Sequence, residues 1–347
     1  MRITILKLLK NIMTLALCAT LAHSCKLIDD DLSNCGKDLQ LQYQLSLQTN
    51  LELELNTVLS TELDMPTHLA LNERMSNIFT DHAHDIDIMF YKEPEDQMDL
   101  HKTDIINSNQ TTYTIFLPAR NYHHLSLANL IGNTVVSVRD TAESTGAKLQ
   151  VLEQDTVVSQ ETGLFAASLP VEVTDTADQV IEVKLRQVNS AVALVIDTAG
   201  YNVKKIEALI DGTASGFMLR DSVFLFDRKI SVRTEQIDIL RPNKVATRTE
   251  TETVRHRQMC FTGVCMPSPD MPDNNGAYFT VRVYVTLLDG TITETILHVR
   301  FPLPAGWLKI VKTRLQDNGV VAPDNGQDVG ASVTLDWKDG REWDIPL

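Results

Sequence analysis

The chain has 347 residues and carries 31 Lys and Arg against 46 Asp and Glu, a formal net charge of −15. That length holds two ordinary domains, and an acidic surface repels phosphate backbones, which excludes a nucleic-acid partner. Aromatic content is low, with only 3 Trp, so a stacking platform for glycans has few residues to draw on.

The N-terminus is the most informative stretch. Arg2, Lys7 and Lys10 precede an apolar run from Ile12 to Leu21, and Leu21-Ala22-His23-Ser24 leads into Cys25. This is the layout of a secretory signal peptide over residues 1–24. The run is too short for a transmembrane helix, which needs about 20 apolar residues. Losing the three cations leaves a mature charge of −18. A cysteine directly after the cut resembles a bacterial lipoprotein site, where the thiol is acylated. Leu at the fourth position before it resembles the relaxed boxes of the Bacteroidota. Acylation at Cys25 is expected, and two or three chains at about 0.8 kcal/mol per buried CH₂ attach a protein lastingly. Residues 25–35 form a lipidated tether. Its Asp29-Asp30-Asp31 cluster resembles the signal that sends Bacteroidota lipoproteins to the outer face of the outer membrane.

Residues 39–47, LQLQYQLSL, place Leu39, Leu41, Tyr43, Leu45 and Leu47 at odd positions with polar residues between. A period of two predicts a strand with one face in a core. The parity returns at Leu51, Leu53 and Leu55. Residues 58–79 hold the only helical patterning, clearest over Asn72 to Phe79. Strands are expected at Ile86 and Ile88, at YTIFLP (113–118), at HLSLANL (124–130), at Val171 and Val173, and at Ile181, Val183 and Leu185. AVALVID (191–197) is almost wholly apolar and predicts a strand buried on both faces. Val281 to Leu287, Asp289-Gly290, then Ile292 to Phe301 predict a hairpin. Val333 to Trp337, Asp339-Gly340 and Trp343 to Leu347 predict another. Many short strands with turn signals and little helix argue for all-β sandwiches. The polar shift at Asp175-Thr176-Ala177-Asp178 places the boundary, giving an N-terminal sandwich at 36–178 and a C-terminal one at 179–347.

Of five cysteines, Cys18 leaves with the signal and Cys25 is the acylation site. Cys260 and Cys265 frame FTGV and are a candidate disulfide stapling a loop in an oxidising compartment. Cys35 paired with either is the rival. Asp81-His82-Ala83-His84-Asp85-Ile86-Asp87 is the best metal-like run. On a strand its histidines and aspartates point to opposite faces, so a solvated edge is favoured over a metal site. Tyr122-His123-His124 could supply an acid or base, but no nucleophile elbow or carboxylate pair accompanies it. Phosphate-cradling glycine loops are absent. The reading is a non-enzyme with no cofactor and no small-molecule substrate.

Four segments, in order, carry a family resemblance. They are Cys25 with its acidic link and Asp31-Leu32-Ser33-Asn34-Cys35; IDIMF (86–90) with YTIFLPARNYHHLSLANL (113–130); VKLRQVNSAVALVID (183–197); and WKDGREWDIPL (337–347). Together they resemble the fimbrillin-associated anchor family (FimB-type) of Bacteroidota type V pili. The resemblance implies two transthyretin-like β-sandwich domains in tandem. It also implies a lipid-held subunit at the outer membrane that meets fimbrial stalk or accessory pilin subunits by strand exchange, an application of β-augmentation. His123 and His124 stand where that family's strand is expected to be more apolar. The alternative is a surface lipoprotein that captures glycan or host protein on a similar sandwich.

Overall fold

The computed structural model describes residues 39–48, 63–79, 83–105, 112–174, 179–239, 258–324, 329–335 and 342–345. The expected signal peptide at 1–24, Cys25, the acidic cluster and Cys35 lie outside the described residues, as do Leu51 to Leu55, Asp81 and His82. Among the described residues the fold is almost entirely β, with one helix and four sheets.

The first sheet runs in the order β3 (Gln97–Ile105), β2 (Asp85–Lys92), β5 (Asn121–Ala128), β9 (Phe165–Glu172), β10 (Gln179–Gln187), β1 (Leu39–Gln48), β4 (Thr112–Leu117). β9 and β10 pair only through Arg186 with Ala166 and Gln187 with Phe165. They splay apart beyond that corner, so β3-β2-β5-β9 and β10-β1-β4 form two layers. A shared core lies between them, with Ile86, Ile88 and Phe90 from one layer and Ile115, Leu117, Val183 and Leu185 from the other. The alternation read in β1 fits this register. Leu39 and Leu41 pair with the buried Leu117 and Ile115, and Leu45 and Leu47 with the buried Val183 and Leu185.

The C-terminal half is a second sandwich. One layer is β16 (Glu235–Ile237), β17 (Gln258–Cys265), β11 (Ser190–Asp197), β20 (Leu308–Leu315) and β21 (Val321–Pro323). The other is β23 (Glu342–Ile345), β22 (Val329–Leu335), β19 (Ile292–Val299), β18 (Phe279–Thr286), β12 (Lys205–Asp211), β15 (Ser231–Arg233) and β8 (Thr156–Val158). The first expected hairpin forms, β18 with β19, and β22 pairs with β23 as the second requires, while its Asp339-Gly340 turn lies outside the described residues. Gly263 lets the layers approach, because a Cβ there would sit 2.4 Å from Ile210 Cδ1.

AVALVID is buried on both faces for two separate reasons. Val192, Leu194 and Ile196 enter the core between the layers. Ala191, Ala193 and Val195 lie under α1 (Met65–Ile78), which covers the outer face with Leu71, Met75 and Ile78. Those residues are spaced four and three apart, one side of a helix. Asp64 starts the helix by accepting a hydrogen bond from the Thr67 amide at 2.9 Å, and Pro66 occupies its first turn.

A fourth sheet, β14 (Val223–Leu225), β13 (Gly216–Met218), β7 (Lys148–Val151) and β6 (Val136–Arg139), mixes strands from both halves. It packs Leu149 and Val151 in one cluster with Met89, Tyr91, Leu125 and Leu127 of β2 and β5.

Two expectations are corrected here. The boundary at 178/179 falls one strand early, because β10 is laddered along β1 in the first sheet while β8 crosses to join the second sandwich. The polar run at 175–178 lies between two strands of one sheet and signalled a connection, not a domain edge. The Cys260–Cys265 disulfide is also corrected. FTGV is not a loop but the middle of β17. An odd spacing along a strand sends the two side chains to opposite faces. Cys260 therefore sits under α1, and Cys265 sits in the inter-layer core. Both are buried free thiols, and burial pushes each pKa up to about 12.

Candidate functional site

Among the described residues, the chemistry-bearing runs do not converge on a ligand. His84 uses its backbone amide to bond Asn129 Oδ1 at 2.7 Å. Asp85 is buried and accepts from the Leu130 and Ile131 amides at 2.9 and 3.2 Å. Asp87, on the same face of β2, meets His101 and Thr103 on β3. The two aspartates, Asp85 and Asp87, thus hold a loop and a neighbouring strand. Among the described residues no three His, Cys, Asp or Glu side chains gather as a metal site.

His124 is wholly buried on β5. Its ring stacks on Phe90 at 4.4 Å, and its Nδ1 bonds Met89 O at 2.9 Å. The imidazole fills an aromatic position in the strand while its N–H finds a carbonyl. Burial drives its pKa down to about 3, against the Met89 bond. The unfolded state, with an ordinary value of 6.5, takes up the proton first. Stability from this group is therefore complete above pH 6.5 and declines as pH falls toward 3. Urea midpoints will drop between pH 7.5 and pH 4.5, and His124→Phe, which keeps the stack, will flatten that drop.

His123 lies beside a polar cluster that spans the two halves of the chain. Arg220, in the β13–β14 turn, reaches Glu93 Oε1 at 2.7 Å and Asp96 Oδ1 at 3.2 Å, both in the β2–β3 turn. Asp96 also accepts the Ser144 and Thr145 amides, each at 3.0 Å, and both hydroxyls. Burial alone would raise the Asp96 pKa. The hydrogen bonds from Ser144 and Thr145 outweigh it and hold the carboxyl at about 2. Three segments remote in sequence are thus clasped by one guanidinium fork.

The same cluster contains Ser168, His123 and Glu93, the residue types of an acyl-transfer triad. The hydrogen-bond polarity runs the wrong way for that chemistry. Ser168 Oγ donates to Arg220 O at 2.8 Å, so the 2.9 Å contact with His123 Nε2 has the imidazole as donor. A nucleophile must instead give its proton to the base. Glu93 is 3.9 Å from His123 Nδ1 and is committed to Arg220. Burial and the Arg220 charge, in that order, lower the His123 pKa, against Glu93, Asp96 and Asp221. The cluster is built to hold turns together. The sequence shows Glu93-Pro94-Glu95-Asp96 as a turn, but nothing in it points to Arg220, 124 residues beyond Asp96.

A second polar joint lies where the sandwiches meet. Asn189 is fully buried and accepts from the Leu164 amide at 3.0 Å. Its Nδ2 donates to Gln160 Oε1 at 2.8 Å and to Thr162 O at 2.9 Å. The Gln160 amide reaches Val264 O at 3.1 Å, and the Gly163 amide reaches Ile78 O at 2.8 Å. β10, β9, β17 and α1 therefore converge on one satisfied network. Such networks fix a single arrangement of the elements they join.

On the surface, a polar cleft of about 610 Å³ overlies β6 and β7, lined by Ser137, Arg139, Asp140, Lys148, Gln150 and Glu153 among others. Trp307 is 45% exposed. The side chains of Trp337 and Trp343, and Cys25, the expected acylation site, lie outside what is described.

The family model described as fimbrillin-A associated anchor proteins Mfa1 and Mfa2 matches residues 49–255. A candidate adhesin of Bacteroides thetaiotaomicron superposes with a TM-score of 0.52 at 11% identity, over 90% of this chain and 100% of that one. A candidate polysaccharide-binding protein of the same organism gives 0.50 at 10%, over 89% and 99%. A candidate adhesin of Bacteroides ovatus gives 0.51 at 9%, over 86% and 94%. The search of curated proteins returns no match. At these identities the solved structures speak to the β-sandwich fold alone.

Proposed function

Since this chain belongs to the family of fimbrillin-A associated anchor proteins, we propose that it is an outer-membrane lipoprotein that couples a surface fimbria to the cell. Acylated Cys25 holds the lipid, and the folded body meets fimbrial stalk or accessory pilin subunits. The family match over 49–255 carries this reading. The signal-peptide layout over 1–24, directly before Cys25, supports the lipid end of it. The sheet edges at β3 and β4 support the pilin end, because an edge strand offers N–H and C=O groups to an added strand. The joints at Arg220 and Asn189 suit a subunit whose two sandwiches must not hinge.

Native protein recovered with sheared fimbriae and with outer membranes, identified by mass spectrometry in both, is the expected result. Recovery from the membrane with no pilin would count against the coupling role. The second reading, capture of a glycan, is favoured by the polar cleft over β6 and β7 and by solved relatives described as candidate adhesins or polysaccharide binders. A glycan array with clear hits, and unchanged fimbriae on deletion, would favour it.

A further inference from the structure

The lipid reading puts the mechanical load of a fibre onto the chain that enters β1, and the ladder around β1 has a direction. β1 pairs in parallel with β10 from Leu41 with Gln179 to Gln48 with Arg186. It pairs antiparallel with β4 from Leu39 with Leu117 to Gln44 with Thr112. The tether therefore enters at the end marked by Leu39, Leu117 and Gln179. The opposite end, at Gln48 and Arg186, adjoins the Asn189 network and the second sandwich.

β11 begins at Ser190, three residues after β10 ends at Gln187. It is not laid back along β10. One face of β11 is covered by α1 and the other by the second sandwich's core, whereas Glu182, Lys184 and Arg186 of β10 are exposed. The chain thus runs on from the first sandwich into the second. β20 runs parallel to β11, and Gly319 just past its end lies against Leu287 and Thr293, so the β18–β19 turn at Asp289-Gly290 sits at the end of the second sandwich remote from Ser190.

From this topology we infer a load-bearing function for β1. The β10–β1–β4 ladder is a shear clamp between membrane and fibre, an inference that rests on Cys25 being the attachment point. Tension enters β1 at its first residue and leaves through the far end of β10. The two strands are drawn along their length in opposite directions, so every bond in the ladder carries load together. Evenly spaced parallel bonds share such a load along the strand. The same ladder pulled from one end would open one pair at a time. Forced unfolding is set by the barrier to rupture rather than by equilibrium stability, so direction decides strength.

Single-molecule pulling on the full mature chain, unacylated and carrying Cys35→Ser, tests this without involving lipid. Handles at Cys25 and at Asp289→Cys load the long axis. Handles at Cys25 and at Ala119→Cys, just past the end of β4, load the ladder from one end. The first geometry is expected to rupture at severalfold higher force. Equal or lower force along the axis overturns the clamp and leaves the lipid reading standing. A failure of Cys25 acylation in cells would remove the lipid reading without altering this anisotropy. Joining register partners with Gln44→Cys and Glu182→Cys should delete the first rupture along the axis once oxidised. An unchanged first rupture would place the resistance elsewhere and refute the clamp.

Discussion

Arg220→Met will lower the melting temperature by roughly 4–12 °C, the shift that about 2–3 kcal/mol produces in a domain of this size. Breaking a buried ion pair from one side costs about 3–5 kcal/mol, because the abandoned charge keeps its desolvation. The Arg220, Glu93 and Asp96 side chains are 24%, 28% and 16% exposed, so water reclaims part of that cost. Both carboxylates lose their cation at once, and the β13–β14 turn loses its hold on the β2–β3 turn. Arg220→Lys will recover only part of the loss, since one ammonium cannot reproduce the fork that spans Glu93 and Asp96. Arg120→Met is the contrast. Arg120 meets Glu95 at 3.3 Å with side chains 34% and 49% exposed, and its loss will cost less than about 1 kcal/mol. Equal melting temperatures for the two methionine variants would show that the clasp contributes no more than a surface pair.

On the proposed lipoprotein reading Cys25→Ala will have the largest effect in cells, because acylation there is present entirely or not at all. Palmitate incorporated by the wild-type protein will be lost completely, and the protein will move from the outer-membrane fraction to the soluble one. Each acyl chain contributes about 0.8 kcal/mol per buried CH₂. The acidic mature chain, at −18, gains nothing from anionic lipid to replace that contribution. Cys35→Ala serves as the control and will leave both label and location unchanged. Retained label in Cys25→Ala would move the acylation site elsewhere.

Much of the fold is legible in the sequence because strands advertise themselves by parity. The odd-numbered leucines of β1 register against Leu117, Ile115, Val183 and Leu185, which are buried, and the Asp289-Gly290 hairpin needs only a turn and two alternating runs. AVALVID reads as doubly buried, although what covers its second face is a helix more than a hundred residues earlier. The failures have a common cause. Cys260 and Cys265 look like a closed loop when counted as a gap of four, and become incompatible once FTGV is seen as continuous strand. The run at Asp175 to Asp178 looks like a domain edge because a polar connection inside a sheet has the same composition as one between domains. The Arg220 clasp and the Asn189 network join groups remote in sequence, and no local period records which turn a guanidinium or an amide will reach. His124 is the instructive intermediate. It departs from the apolar pattern of its strand, yet it occupies that position by stacking on Phe90 and donating a hydrogen bond to the Met89 carbonyl.

The coupling of fibre to membrane is tested most directly by where the fibres are. In cells whose only copy carries Cys25→Ala, fimbriae should be shed into the medium to the same extent as in cells lacking the protein. The wild type should keep them on the surface. Fimbriae that stay on the Cys25→Ala cells at the wild-type level would contradict the account.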